Sequence, residues 1–181
     1  TDGEVGNSGH GQLNMSIVGG YVPSGTVGGV NFGAFPHADA SAYRFGLGVA
    51  PFVRMGNSVI FDPNYTSPNF TTLMSAVYGA NARISTNSWG SNTSGGYSAS
   101  SQTYDGLVRD AQPGTAGNQQ MTILFSAGNA GPGSTTINAP GTGKNVLTVG
   151  AAEGVQPFGG PDGCNVTDAQ ADSANDIVAF S

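Results

Sequence analysis

The sequence predicts an α/β fold, a doubly wound parallel sheet with helices on both faces and incomplete at both ends, and three observations carry that prediction. Short apolar runs of strand length alternate with segments whose apolar residues recur at helical spacing. The order strand, helix, strand calls for right-handed crossovers, which make a parallel sheet. No unit repeats at a period of about 20–50 residues, which leaves solenoids and propellers unsupported.

Residues 10–20 (HGQLNMSIVGG) place Leu13, Ile17 and Val18 at helical spacing and stop at a glycine pair, as a short buried helix would. A Gly-rich stretch, residues 21–48, reads as an insertion. Residues 52–55 and 58–61 read as short strands, with Pro51 at an entrance because proline cannot donate to a ladder. Asn69 is placed to cap a helix in which Phe70, Leu73, Met74, Val77 and Tyr78 form one apolar stripe. Residues 83–88 read as a strand and 101–111 as a helix with Tyr104, Leu107, Val108 and Ala111 inward. Residues 121–125 (MTILF) read as a buried strand, and 146–149 and 177–180 as two more.

Composition narrows the functional classes. The 181 residues carry a net charge of −6 and only five basic side chains, so no basic surface exists to hold a nucleic-acid backbone. No run approaches the ~18 apolar residues of a membrane span. With 38% hydrophobic residues the chain also escapes charge-driven disorder. Charged residues make up 9%, against about 25% in ordinary globular chains, so neutral Ser, Thr, Asn and Gly solvate the surface. That habit suits a secreted, extracellular protein, although no charged segment followed by an apolar one marks a signal peptide. Cys164 is the single cysteine and can form neither an internal disulfide nor a Cys/His zinc set.

In a parallel sheet the functional loops lie at the carboxyl ends of the strands. Three segments fall there or open a helix. Gly9-His10-Gly11 sets an imidazole, which titrates near neutral pH, between two residues that admit close approach of another chain. Ser126-Ala127-Gly128-Asn129 follows a strand and ends in an amide whose NH2 group can face a developing oxyanion. Ser88-Trp89-Gly90 offers extended backbone for strand addition, with Trp89 as either a pocket wall or a core anchor.

Taken in this order, the three segments resemble the subtilisin-like serine proteases. Gly48-Val49-Ala50-Pro51 and the stretch from Asn138-Ala139-Pro140 to Asn145-Val146-Leu147-Thr148-Val149-Gly150-Ala151 resemble two further segments of that family. The resemblance implies a serine endopeptidase acting through an acyl-enzyme on polypeptide substrates. It implies that His10 is the general base, that Asn129 donates to the oxyanion, and that Ser88, Trp89, Gly90, Ala127 and Gly128 flank the bound peptide. In the family an Asp-Ser/Thr-Gly segment precedes the histidine and a Gly-Thr-Ser-Met segment follows the asparagine. Neither occurs in these 181 residues, so residues 1–181 read as an internal part of a catalytic domain, inert alone, with a pro-segment possible outside it. Gln12 and Met15 stand where the family usually has Thr and Ala, which motivates an alternative: an inactive extracellular binding module of the same fold.

Other patterns fail on chemistry. Gly141-Thr142-Gly143-Lys144 resembles a phosphate loop, but Asn145 follows the lysine and Asn138 takes the place of the first glycine. Asp162, Asp168, Asp172 and Asp176 could contribute oxygens to calcium but match no EF-hand loop, and His37 with Asp39 lacks a third ligand, so no cofactor is expected, calcium being possible but unsupported by a motif.

Overall fold

The computed structural model describes residues 9–21, 26–27, 30–31, 46–61, 67–154 and 173–181. The chain divides into two units, Thr1–Pro68 and Asn69–Ser181. Most of the expected insertion at 21–48, together with Cys164, His37, Asp39, Asp162, Asp168 and Asp172, lies outside the described residues.

In the first unit, helix α1 (His10–Gly19) forms where the spacing predicts it, with Gly9 at its N-terminus. It is not the buried helix expected: Leu13 and Ile17 are 60% and 58% exposed. The close packing falls instead on the last turn, where a side chain at Gly19 would meet Met55 and Val53. The two-residue strands β1 (Thr26–Val27) and β2 (Val30–Asn31) pair antiparallel within the expected insertion.

Residues 52–55 and 58–61 are not strands. Their approach is already committed to α1. The N–H groups of Gly48, Val49 and Ala50 donate to the carbonyls of Gly20, Ile17 and Val18 at 2.7, 3.1 and 2.7 Å. The last carbonyls of a helix lack partners inside it, and this passing segment supplies them. Pro51 then opens a turn, which leaves Phe52 88% exposed.

The second unit holds the remaining elements: α2 (Phe70–Gly79), β3 (Ile84–Asn87), α3 (Ala99–Arg109), β4 (Thr122–Ser126) and β5 (Leu147–Val149). Asn69 caps α2, accepting from the Thr72 N–H at 3.0 Å. Helix α3 starts two residues before the apolar pattern does, because Ser98 and Ser101 cap it reciprocally. The three strands form one parallel sheet in the order β3-β4-β5, the α/β arrangement expected. Residues 177–180 make a single antiparallel bridge, Ile177 to Ala152, rather than a strand. The chain turns there, with the Ser181 N–H on the Val178 carbonyl.

One core serves this unit: Met74 of α2, Tyr104 and Leu107 of α3, and Ile123 and Phe125 of β4 are buried together with Ala111, Met121 and Val146. Side-chain alternation in β4 sends Ile123 and Phe125 toward the helices. The opposite parity sends Ile84, Leu147 and Val149 to the other face, where they are 67%, 55% and 54% exposed.

The cap predicts a graded stability series. Asn69→Ala removes the acceptor for the Thr72 N–H and lowers unfolding free energy by about 1 kcal/mol, whereas Asn69→Gly costs only a few tenths. Urea unfolding of the two variants checks the order, and equal losses would mean that the side-chain bond carries none of it.

Candidate functional site

The sheet register puts the loops of interest side by side. Asn87, the last residue of β3, lies opposite Phe125, the penultimate residue of β4, so the two strands end within one residue of each other. Their loops leave the carboxyl edge together and line a cleft of about 290 Å³ formed by Ser88, Trp89, Gly90, Asn92, Ser126, Gly128, Asn129, Ala130 and Asn138. No lining residue is charged. Of the residues singled out in sequence, the cleft gathers Ser88, Trp89, Gly90, Gly128 and Asn129. Ala127 stands behind it, its N–H on the Val149 carbonyl at 2.9 Å and its carbonyl taking the Asn138 N–H at 3.0 Å.

Trp89 lies between the core and the cleft. Its ring stacks on Phe70 at 5.3 Å and meets Phe125 edge-on at 5.2 Å, while the residue also lines the cleft. Asn87, two residues before it, is buried and holds the strand end by donating to Ser85 Oγ and the Leu124 carbonyl, each at 3.1 Å.

Asn92, Ser126, Ala130 and Asn138 also line the cleft, although motif reasoning assigned them no role, and Asn138 is closely packed by its neighbours. It fits because two glycines leave room. A Cβ at Gly128 would lie 2.6 Å from Asn138 Nδ2, and one at Gly90 would lie 2.9 Å from Asn138 Cβ. Gly128 also has φ +106°, a conformation that side chains other than glycine's rarely accept. Asn138 Oδ1 is buried and has no hydrogen-bond partner in the structure.

Behind the cleft, the Asp105 carboxylate accepts from the Lys144 and Asn145 N–H groups, each at 2.7 Å, and from the Tyr97 hydroxyl at 2.8 Å. The hydrogen bond to Asp105 raises the Tyr97 ionisation above its ordinary 10.0, with desolvation and the carboxylate's charge adding to it.

His10 belongs to the first unit, as the first residue of α1, and is exposed; the cleft is built wholly from residues of the second. The His10 carbonyl accepts from Asn14 Nδ2 at 2.8 Å, which ties the side chain of Asn14 back to the helix start. Among the described residues no group of three or more His, Cys, Asp or Glu is placed to hold a metal ion. No helix among them is long and apolar enough to cross a membrane.

Gly128→Ala drives a methyl into Asn138 and strains the backbone, so it changes the emission of Trp89, the single tryptophan, while Gly133→Ala, whose methyl meets only the end of Thr136, leaves it unchanged. For Tyr97 the folded-state ionisation is raised, so the hydrogen-bonded neutral form contributes full stability below the unfolded value and loses it as pH rises through the raised one. Absorbance titration at alkaline pH then shows one late-ionising tyrosine fewer in Tyr97→Phe.

No curated protein matches the chain in a sequence comparison. The family model described as Subtilase family, Peptidase_S8, matches residues 1–181. With that match over its whole length, the chain belongs to the subtilase family of serine peptidases.

Proposed function

We propose that these residues are the part of a secreted serine endopeptidase that carries its general base, its oxyanion donor and one wall of its substrate cleft. The observation that supports this reading best is the uncharged cleft in which Ser88, Trp89 and Gly90 face Gly128 and Asn129. A peptide strand lies along residues 88–90 and pairs with their backbone. His10 takes the proton of the attacking serine and returns it to the leaving amine, and the Asn129 amide stabilises the tetrahedral oxyanion. The serine and the orienting aspartate come from outside these 181 residues, which contain neither Gly-Thr-Ser-Met nor Asp-Ser/Thr-Gly. Because the lining holds only Ser, Trp, Gly, Asn and Ala, apolar or uncharged side chains are preferred beside the scissile bond.

Gln12 and Met15, on the helix that His10 opens, favour a second reading in which the fold binds peptide without cleaving it. Substitution in the complete protein separates the two. His10→Ala abolishes nearly all peptide hydrolysis, and Asn129→Ala lowers kcat by about a hundred- to thousandfold, the loss known for the equivalent change in a subtilisin. Unchanged hydrolysis in either variant removes the role given to that residue, and a wild-type protein that binds peptide without turnover supports the second reading. Residues 1–181 alone show no activity, and turnover that a serine-directed acylating reagent stops would overturn this.

A further inference from the structure

The glycine-rich loop that fails as a phosphate loop still holds an anion, one supplied by its own chain. Lys144 and Asn145 aim their N–H groups at Asp105 Oδ1, and Asn145 Nδ2 donates to the Asp105 carbonyl at 3.0 Å. Gly143 is needed for this approach, since a Cβ there would lie 2.9 Å from the same Oδ1. The other carboxylate oxygen takes the Tyr97 hydroxyl. Asp105 is only 9% exposed and sits on α3 between the buried Tyr104 and Leu107, so its position is fixed by the core.

These donors belong to two of the three segments that line the cleft. Residues 88–97 carry Ser88, Trp89, Gly90 and Asn92 at one end and Tyr97 at the other. Residues 138–145 carry Asn138 at one end and the two amides at the other. Between the ends the segments are bonded to each other. Ser91 and Ala139 exchange backbone bonds of 2.8 and 3.0 Å, and Thr142 Oγ1 reaches the Gly96 carbonyl at 3.1 Å. Ser101 of α3 adds a hydroxyl contact to Thr142 at 2.8 Å. The result is a two-ply wall whose free edge lines the cleft and whose root converges on one carboxylate.

We infer that Asp105 is a positioning residue for substrate: by fixing the roots of both plies it sets the spacing of Gly90 and Asn138 at the cleft. The inference rests on reading the cleft as the peptide site. Asn129 hangs from β4, whose strand pairing does not involve Asp105, and the wall meets its loop at Asn138, at the other end of the segment from the amides on Asp105, so the oxyanion donor is displaced less than the roots when the wall loosens.

Two variants of the complete protein test this. Tyr97→Phe removes one donor at a half-exposed position and leaves the fold intact. Asp105→Asn keeps an acceptor for the two amides but replaces charge-assisted bonds with neutral ones of about half the strength. The expected result is a KM raised about three- to tenfold with kcat held within about twofold, larger in Asp105→Asn than in Tyr97→Phe. Hydrogen exchange, followed by mass spectrometry, becomes faster in residues 91–97 and 138–146 and stays unchanged in α2. A fall in thermal stability or active fraction with KM unchanged would overturn the inference, as would unaltered exchange in both segments. Absence of peptide hydrolysis by the wild-type protein would instead remove the peptidase reading, while the exchange measurement still decides whether Asp105 holds the wall.

Discussion

The contact between Phe125 and Tyr104 sets the distance from sheet to helix on which the cleft depends. Their rings meet edge to face at 4.8 Å, and both side chains are essentially without solvent contact. Phe125 is the penultimate residue of β4, so whatever fixes its ring also fixes the loop that follows. Trp89 and Phe70 complete the cluster, with Trp89 5.9 Å from Tyr104 and Phe70 5.2 Å from Tyr104. Such pairs add about 0.5–1.5 kcal/mol each beyond the area they bury. The stabilisation is directional, which apolar burial alone is not. Tyr104 gives up its polar end to this arrangement: its hydroxyl is buried without a hydrogen-bond partner in the structure, and burial drives its ionisation above the ordinary tyrosine range.

How much of this the sequence discloses depends on how local each cause is. Helix α2 is legible because Phe70, Leu73, Met74 and Val77 repeat over two turns behind a capping asparagine, all within ten residues. The strands at 84–87 and 122–126 are legible because apolar length and flanking polar loops agree. Residues 52–55 carry the same local signal and form no strand, because their approach is committed to the end of α1, some thirty residues earlier in the chain. The candidate site divides the same way. The loops ending in Gly90 and Asn129 can be placed from strand ends alone. Asn138 cannot, since its seat is the space left by two missing Cβ atoms in two separate loops, a fact no single segment contains.

The scarcity of charge has a structural counterpart. Of five basic residues, Arg83 lies 3.7 Å over the Tyr78 ring and donates to the Tyr78 and Ala82 carbonyls just beyond α2, where unpaired carbonyls favour a cation. Lys144 extends over the Tyr97 ring at 5.3 Å. These cations serve the scaffold, and the cleft is left to amides, hydroxyls and backbone. On the proposed peptidase reading, a neutral cleft of that kind discriminates by shape and by strand pairing, and its selectivity then rests on how firmly its walls are held.

A buried carboxylate is tolerated at Asp105 because donors enclose it. An isolated ionised carboxylate away from water is costly unless donors surround it. Here two backbone amides and a phenol hydroxyl do so, much as consecutive N–H groups cradle phosphate in a nest. An apolar side chain in the same place could fill the volume but could not fix the orientation of both segments at once. Directional bonds to a single charge impose that geometry, and Gly143 lets the loop come close enough to make them.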